Sequence, residues 1–451
     1  MMATGRVMGS SQDLGDLLAL DRRHVWHPFT QEQTAPPVTP IAAARGALLF
    51  GQDGTEYLDL ISSWWVNTHG HAHPVIADAI ARQAHTLEQV VFAGFTHAPA
   101  VQLATALAEK LPPGLERLFF SDNGSTAVEV ALKMARQYWF NQGNPRERFL
   151  VCQGGYHGDT VGAMSAGCSS GFFEPFRSLL FPVDLLPFPA TWEGDTGIEA
   201  REMAALRSLD VYLAQQGHAC AAMLMEPLVQ GAAGMRLCRP HFVQQLAARL
   251  RQAGVLLIFD EVMTGFGRTG TLFACEKAGV TPDLICLSKG LTGGFLPMSV
   301  TACREGIYSA FLGESFDRAF AHGHSFTANP LGCAAGLASL ALFDEENTLQ
   351  RIAAMETIHR QRLSALAGHE RVEKPRWMGS IAALDIRAAD AGYASRIGLF
   401  LRNFFLERGM LLRPLGNTLY LLPPYCITAE QLHRAWDTVE LALQHLPPAE
   451  L

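Results

Sequence analysis

Five short apolar runs, spaced by helical stretches, constrain this chain most. They are RLFFS (117–121), FLVCQ (149–153), AAMLME (221–226), VLLIFDE (255–261) and DLICLSK (283–289). Such runs read as buried strands, and strands alternating with helices build a parallel or mixed sheet covered by helices on both faces. Between them, Ala127, Val128, Ala131, Met134, Ala135 and Tyr138 recur at helical spacing, and a further helix is predicted over 240–253. Segments 74–87 and 99–111 each open on a proline, which suits a first helical turn. The fold class is therefore α/β.

The ends of the chain have a different texture. Pro28, Pro36, Pro37 and Pro40 make the first 60 residues loop-rich, and LLFGQDGTEYLDL reads as a hairpin turning at Asp53-Gly54. A helical stretch from Leu331 to Ala367 leads into SIAALDI, a helix through Phe400 to Leu406, MLLRPL, TLYLLPP and a closing helix marked by Leu432, Trp436, Val439 and Leu443. This pattern predicts a large α/β domain over 75–340 and a small α+β domain built from 1–74 and 341–451.

Composition narrows the function class. Hydrophobic residues are 49% and charged residues 17% of the 451, which excludes a disordered chain. The net charge of −8, with no Lys/Arg block longer than two, lacks the footprint of a nucleic-acid binder. The apolar run Val255 to Phe259 is far short of the roughly 20 residues a membrane span requires. Acids interrupt the apolar patch of the N-terminal segment, so it is a poor signal peptide. The 9 Cys include no C-x-x-C pair. These features predict a cytoplasmic protein with reduced, mostly buried thiols.

Ligands of open α/β sheets bind at the carboxyl ends of strands. Asp260 ends one apolar run and Lys289 the next. A desolvated carboxylate needs a cationic partner, and a Lys in a low-dielectric pocket becomes a nucleophile for carbonyl carbon. The two could form a simple buried ion pair, or could hold a pyridinium between them. A third feature, SDNGSTAVEVALKMA (121–135), sends a Gly-Ser-Thr turn into a strong helix, which suits a phosphate; Ser125 or Thr126 could equally serve as a plain helix cap. Phosphate turn, Asp and Lys in that order point to pyridoxal phosphate.

With FDEVMTGFGRTG followed by LSKG, the sequence resembles the class III aminotransferases of the aspartate-aminotransferase-like fold (fold type I pyridoxal-phosphate enzymes), over nearly the whole chain. RHVWHPFTQ (23–31), SSWWVNTHGHAHP (62–74), NGSTAVEVALKMARQYW (123–139) and GGYHGDTVGAMS (154–165) resemble the biotin-pathway branch of that family. The resemblance implies transfer of an amine from S-adenosylmethionine, via pyridoxal phosphate, to the 7-keto group of 8-amino-7-oxononanoate. Alternatives are lysine as donor, or a general ω-amino acid or diamine aminotransferase. A mutase or decarboxylase on the same scaffold, and a pseudo-enzyme, are rivals of other classes.

The same resemblance assigns residues. Lys289 is the covalent lysine, Asp260 the pyridinium partner and Tyr156 the aromatic stacked on the ring. Gly124 and Ser125 hold the phosphate; His324 and Ser325, in HGHSFTANP, match cofactor contacts, with Ser325 reaching the neighbouring site of a homodimer. Trp64, Trp65, Tyr156, Gly323, Phe29 and Arg413 form the substrate site, Arg413 binding a carboxylate. The Trp pair is expected on a strand, where the two side chains point to opposite faces. Asp159 would orient His or backbone groups, His157 receives no role, and Arg268 is expected to be structural. S-adenosylmethionine-using members have Tyr where this chain has Phe29; related lysine-using enzymes carry Phe.

Overall fold

All five apolar runs become strands of one seven-stranded sheet. In the computed structural model, which describes residues 11–167, 171–388 and 395–447, its strands are β1 (Arg117–Ser121), β2 (Arg148–Cys152), β3 (Asp184–Leu186), β4 (Cys220–Met225), β5 (Leu256–Asp260), β6 (Leu284–Leu287) and β7 (Ser299–Cys303). Their order is β1-β7-β6-β5-β4-β2-β3. Only β7 runs antiparallel to its neighbours; the pairs from β6 across to β3 are parallel. Every residue of β4 and of β6 is buried, as strands covered on both faces must be.

Register places the strand ends side by side. Met225 pairs with Phe259, and Asp260 with Cys286. Glu226, Asp260 and the Ser288-Lys289 step thus emerge from adjacent strands at one edge of the sheet.

The predicted hairpin forms between Leu48–Gly51 and Glu56–Asp59. Asp53 Oδ1 accepts from the Thr55 amide at 3.0 Å and Gly54 takes φ +84°. Met410–Leu411 then pairs in parallel with this hairpin, Met410 opposite Leu58, so segments far apart in sequence share one sheet. A three-stranded antiparallel sheet joins Val372–Met378, Ile381–Ile386 and Thr418–Leu421.

Three expectations are corrected. A helix, Ser11–His24, precedes the prolines, which leave residues 25–40 without helix or strand. The stretch from Leu331 to Ala367 is two helices, Pro330–Glu345 and Thr348–Ala365, broken where Asn347 adopts a left-handed φ of 50°. Trp64 and Trp65 lie not on a strand but in the turn Ser62–Trp65, with left-handed φ at Ser62, Ser63 and Trp65. Such strain persists only when the surroundings over-determine it. Here Asp59 accepts from the amides of Ile61 (3.0 Å) and Ser63 (2.6 Å). Buried Arg268 donates to Ser62 Oγ (3.2 Å) and to the carbonyls of Trp65 (3.2 Å), Asn67 (2.9 Å) and Pro423 (3.4 Å), its face on the Tyr425 ring at 4.9 Å. Arg268 is structural as expected, a cation solvated by backbone.

Among the described residues, 7 cysteines are buried and free, Cys426 is half-buried and free, and no helix is long and apolar enough to cross a membrane. Cys168 and the start of the N-terminal segment lie outside the described residues.

Candidate active site

A cleft of about 1330 Å³ opens over the ends of β2, β4, β5 and β6, walled by the Ser62–Trp65 turn and by residues 413–420. Asp260 is 4% exposed. Its Oδ1 accepts from the Val262 amide at 3.0 Å, and its Oδ2 lies 2.7 Å from His157 Nδ1, whose ring is wholly buried. The partner the carboxylate needs is therefore His157. Lys289 makes no ion pair with it among the described residues.

Lys289 instead lies over the Trp65 ring, Nζ 4.8 Å from the centroid, at a left-handed φ of 48°. Trp65 is fixed by a hydrogen bond from its indole N–H to Tyr420 Oη at 2.9 Å. Burial lowers the Lys289 amine to about 8, Asp260 opposing the shift. An amine so placed spends a useful fraction of its time neutral and nucleophilic.

In the turn 122–126 the N-cap is neither Ser125 nor Thr126. Asn123 caps the helix Gly124–Asn141: its side chain accepts from the Thr126 amide at 3.1 Å, and Thr126 Oγ1 accepts from the Asn123 amide at 3.0 Å. Gly124 and Ser125 line the cleft, and as first helical residues their amides have no intrahelical acceptor. A Cβ at Gly124 would meet Val262 Cγ1 at 2.6 Å, and one at Gly158 would meet Ser125 Oγ at 2.0 Å, so both glycines are required by close approach.

Tyr156 lines the cleft and donates to Asp159 Oδ2 at 3.0 Å, so Asp159 orients Tyr156 and not a histidine. Burial and Asp159 push the Tyr156 phenol well above its ordinary range. Arg413 lays its guanidinium on Trp64 at 4.5 Å, and Trp64 meets Phe29 edge-on at 5.7 Å. Trp64 is 41% exposed while Trp65 is buried, yet both line the cleft, one at the mouth and one beneath Lys289. Arg413 forms no ion pair among the described residues.

Three predicted residues are not brought here. Gly323 and Ser325 are exposed, and His324 is half-buried with its Nε2 3.2 Å from His322 Nε2 and its Nδ1 3.9 Å from Asp122 Oδ2; none lines the cleft of this chain. Among the cleft residues to which the sequence assigns no role are His157 and Glu226. Glu226 carried a signal, since it closes its apolar run as Asp260 does; His157 carried none, because its partner is 103 positions away.

A family model described as aminotransferase class-III matches residues 29–443. The chain belongs to this family. As a class III aminotransferase it is 56% identical, over 92% of its length and 97% of the relative's, to the adenosylmethionine-8-amino-7-oxononanoate aminotransferase of Synechococcus elongatus. The crystal structure of the enzyme of that name from Methanocaldococcus jannaschii superposes with a TM-score of 0.90 at 33% identity, covering 97% of this chain and 100% of that one. An amine transaminase from an uncultivated Pseudomonas species, solved in its PLP-bound form, gives 0.86 at 31% identity, covering 94% and 99%.

The residues present fit pyridoxal phosphate. Gly124 and Ser125 offer first-turn amides for a phosphate, Asp260 offers a buried carboxylate fixed by one histidine, and Lys289 offers the amine. When bound, the cofactor supplies an electron sink for the carbon that loses its proton. Asp260 would hold the cofactor's ring nitrogen and Lys289 would carry that proton, between the cleft walls Trp65 and Tyr156.

Proposed function

We propose that this pyridoxal-phosphate-dependent aminotransferase moves an amino group from S-adenosylmethionine to the 7-keto group of 8-amino-7-oxononanoate, giving 7,8-diaminononanoate in biotin synthesis. Arg413 carries the reading. A guanidinium with no acidic partner among the described residues, spread on Trp64 at the wall of an apolar cleft, suits a carboxylate at the end of a methylene chain. The name of the Synechococcus relative points to the same substrates.

Incubation with 8-amino-7-oxononanoate and either S-adenosylmethionine or lysine, followed by mass detection of diaminononanoate, tests it. Product with S-adenosylmethionine is expected; none with either donor refutes the acceptor. In Arg413→Ala, KM for the keto acid should rise about 10- to 100-fold, the worth of one charged hydrogen-bonded pair, while methyl-ketone or diamine substrates lacking a carboxylate should be turned over unchanged. A general ω-amino acid or diamine aminotransferase would be indifferent to Arg413 with such substrates only.

Lysine as donor is the second reading, and Phe29 favours it. The ring packs on Trp64 at the cleft mouth and brings no hydroxyl. Phe29→Tyr should raise kcat/KM for S-adenosylmethionine about 2- to 10-fold over lysine, the value of one added neutral hydrogen bond.

We further propose that the site is completed in a homodimer. Ser325, with Gly323 and His324 beside it, sits on the surface of one chain, where it can serve the phosphate of a neighbour. The large domain over 75–340 would then form the shared face, with 1–74 and 341–451 as the small domain.

A further inference from the structure

Glu226 ends β4 beside Asp260, and nothing in the chemistry above uses it. It is 6% exposed and lines the cleft. Among the described residues its hydrogen-bond donors are the amides of Gly231, 3.2 Å from Oε1, and Tyr156, 3.5 Å from Oε2, which fix the carboxyl without neutralising it. The charged and titratable groups around it come from four elements. Asp260 on β5 is held by His157; Lys289 after β6 lies on Trp65; Arg236 donates to the Phe188 carbonyl at 3.3 Å and lies over the Phe188 ring; Cys152 ends β2. Neither cation is within ion-pair distance of Glu226. Burial, reinforced by Asp260 and opposed by His157, pushes its carboxyl up to about 7, so it gains from any cation delivered to it.

We infer that Glu226 is a specificity-determining residue that receives the ammonium group of an amino-ketone substrate, on the carbon next to the carbonyl to be aminated. This rests on the proposed acceptor. The carbonyl of 8-amino-7-oxononanoate must come to Lys289, and its ammonium is on the adjacent carbon, so both descend to the strand-end floor. Its carboxylate, a whole methylene chain distant, is left to reach Arg413. An ammonium taken to that floor without an anion would be a buried unpaired charge. Asp260 is committed to His157 and the pyridine nitrogen, and Asp159 is exposed and already accepts the Tyr156 hydroxyl. Glu226 has the unused acceptor capacity.

The test crosses two proteins with two ligands. Wild type and Glu226→Gln, each loaded with pyridoxamine phosphate, are titrated calorimetrically with 8-amino-7-oxononanoate and with 7-oxononanoate, which lacks the amine. Wild type should bind the amino ketone about 10- to 100-fold more tightly than the plain ketone, and E226Q should lose that preference while binding the plain ketone within about twofold of wild type. The plain ketone thus reports that the variant is folded and loaded. Equal affinity of wild type for both ketones, or retention of the preference in E226Q, overturns the inference. So does loss of the preference in Asp159→Asn with its retention in E226Q. If wild type binds neither ketone, the functional reading itself fails, and the inference with it.

Discussion

Lys289→Ala is expected to lower the transamination rate by about 10,000-fold or more, the upper range for a positioned acid–base group, to which loss of the nucleophile adds. The amine is buried, lowered to about 8, and held over the Trp65 ring, so no other side chain of the floor can replace it. Asp260 is occupied by His157, and Tyr156, whose phenol is pushed above its ordinary range, stays protonated and takes up no proton. The fold should survive, because the left-handed φ of 48° is already adopted by a residue with a Cβ, and alanine adds no atoms. Cofactor should still bind through the phosphate turn. The checks are single-turnover kinetics and the visible spectrum: the purified variant should lack the absorbance of the lysine-bound cofactor, and an unchanged spectrum would falsify the assignment of Lys289.

Asp260→Asn should reduce kcat by about 100- to 1,000-fold, the usual loss when one preorganised electrostatic group is removed from a buried site. The substitution keeps the shape, and Asn can still accept from the Val262 amide. It removes the negative charge that would hold a pyridine nitrogen protonated. Because Asp260 would hold the ring and not the substrate's tail, KM for the keto acid should change little, and cofactor retention on dialysis should fall less than activity. A variant losing substrate affinity and kcat in equal measure would instead place Asp260 in substrate binding.

Much of the site was legible because its chemistry sits at the ends of conspicuous apolar runs. Asp260 and Lys289 interrupt hydrophobic stretches, and Gly124-Ser125 opens a strongly periodic helix, so each is anomalous against its own neighbours in sequence. The partner of Asp260 was not legible, since the His157 contact depends on how β2 and β5 are spaced across β4. The Trp64–Trp65 pair misled for a related reason. An apolar dipeptide beside a predicted strand looks like a strand, but the carboxylate of Asp59 and the buried guanidinium of Arg268, 203 positions beyond Trp65, wind it into a strained turn. Asn347 breaks a helix that hydrophobic spacing alone carries straight through.

The sequence by itself determined that this is an α/β protein with a phosphate turn, an acid and a nucleophilic lysine at successive strand ends, and its likeness to one family assigned those groups to pyridoxal phosphate. Periodicity and buried charge are local properties, and they survive reading one residue after another. Only the tertiary structure decided the pairings: His157 and not Lys289 beside Asp260, Trp65 under the lysine and Trp64 under Arg413, and Glu226 left without a cation in the floor. Those follow from register between strands and from long-range hydrogen bonds, which depend on distance in space and leave no trace in the spacing of the chain.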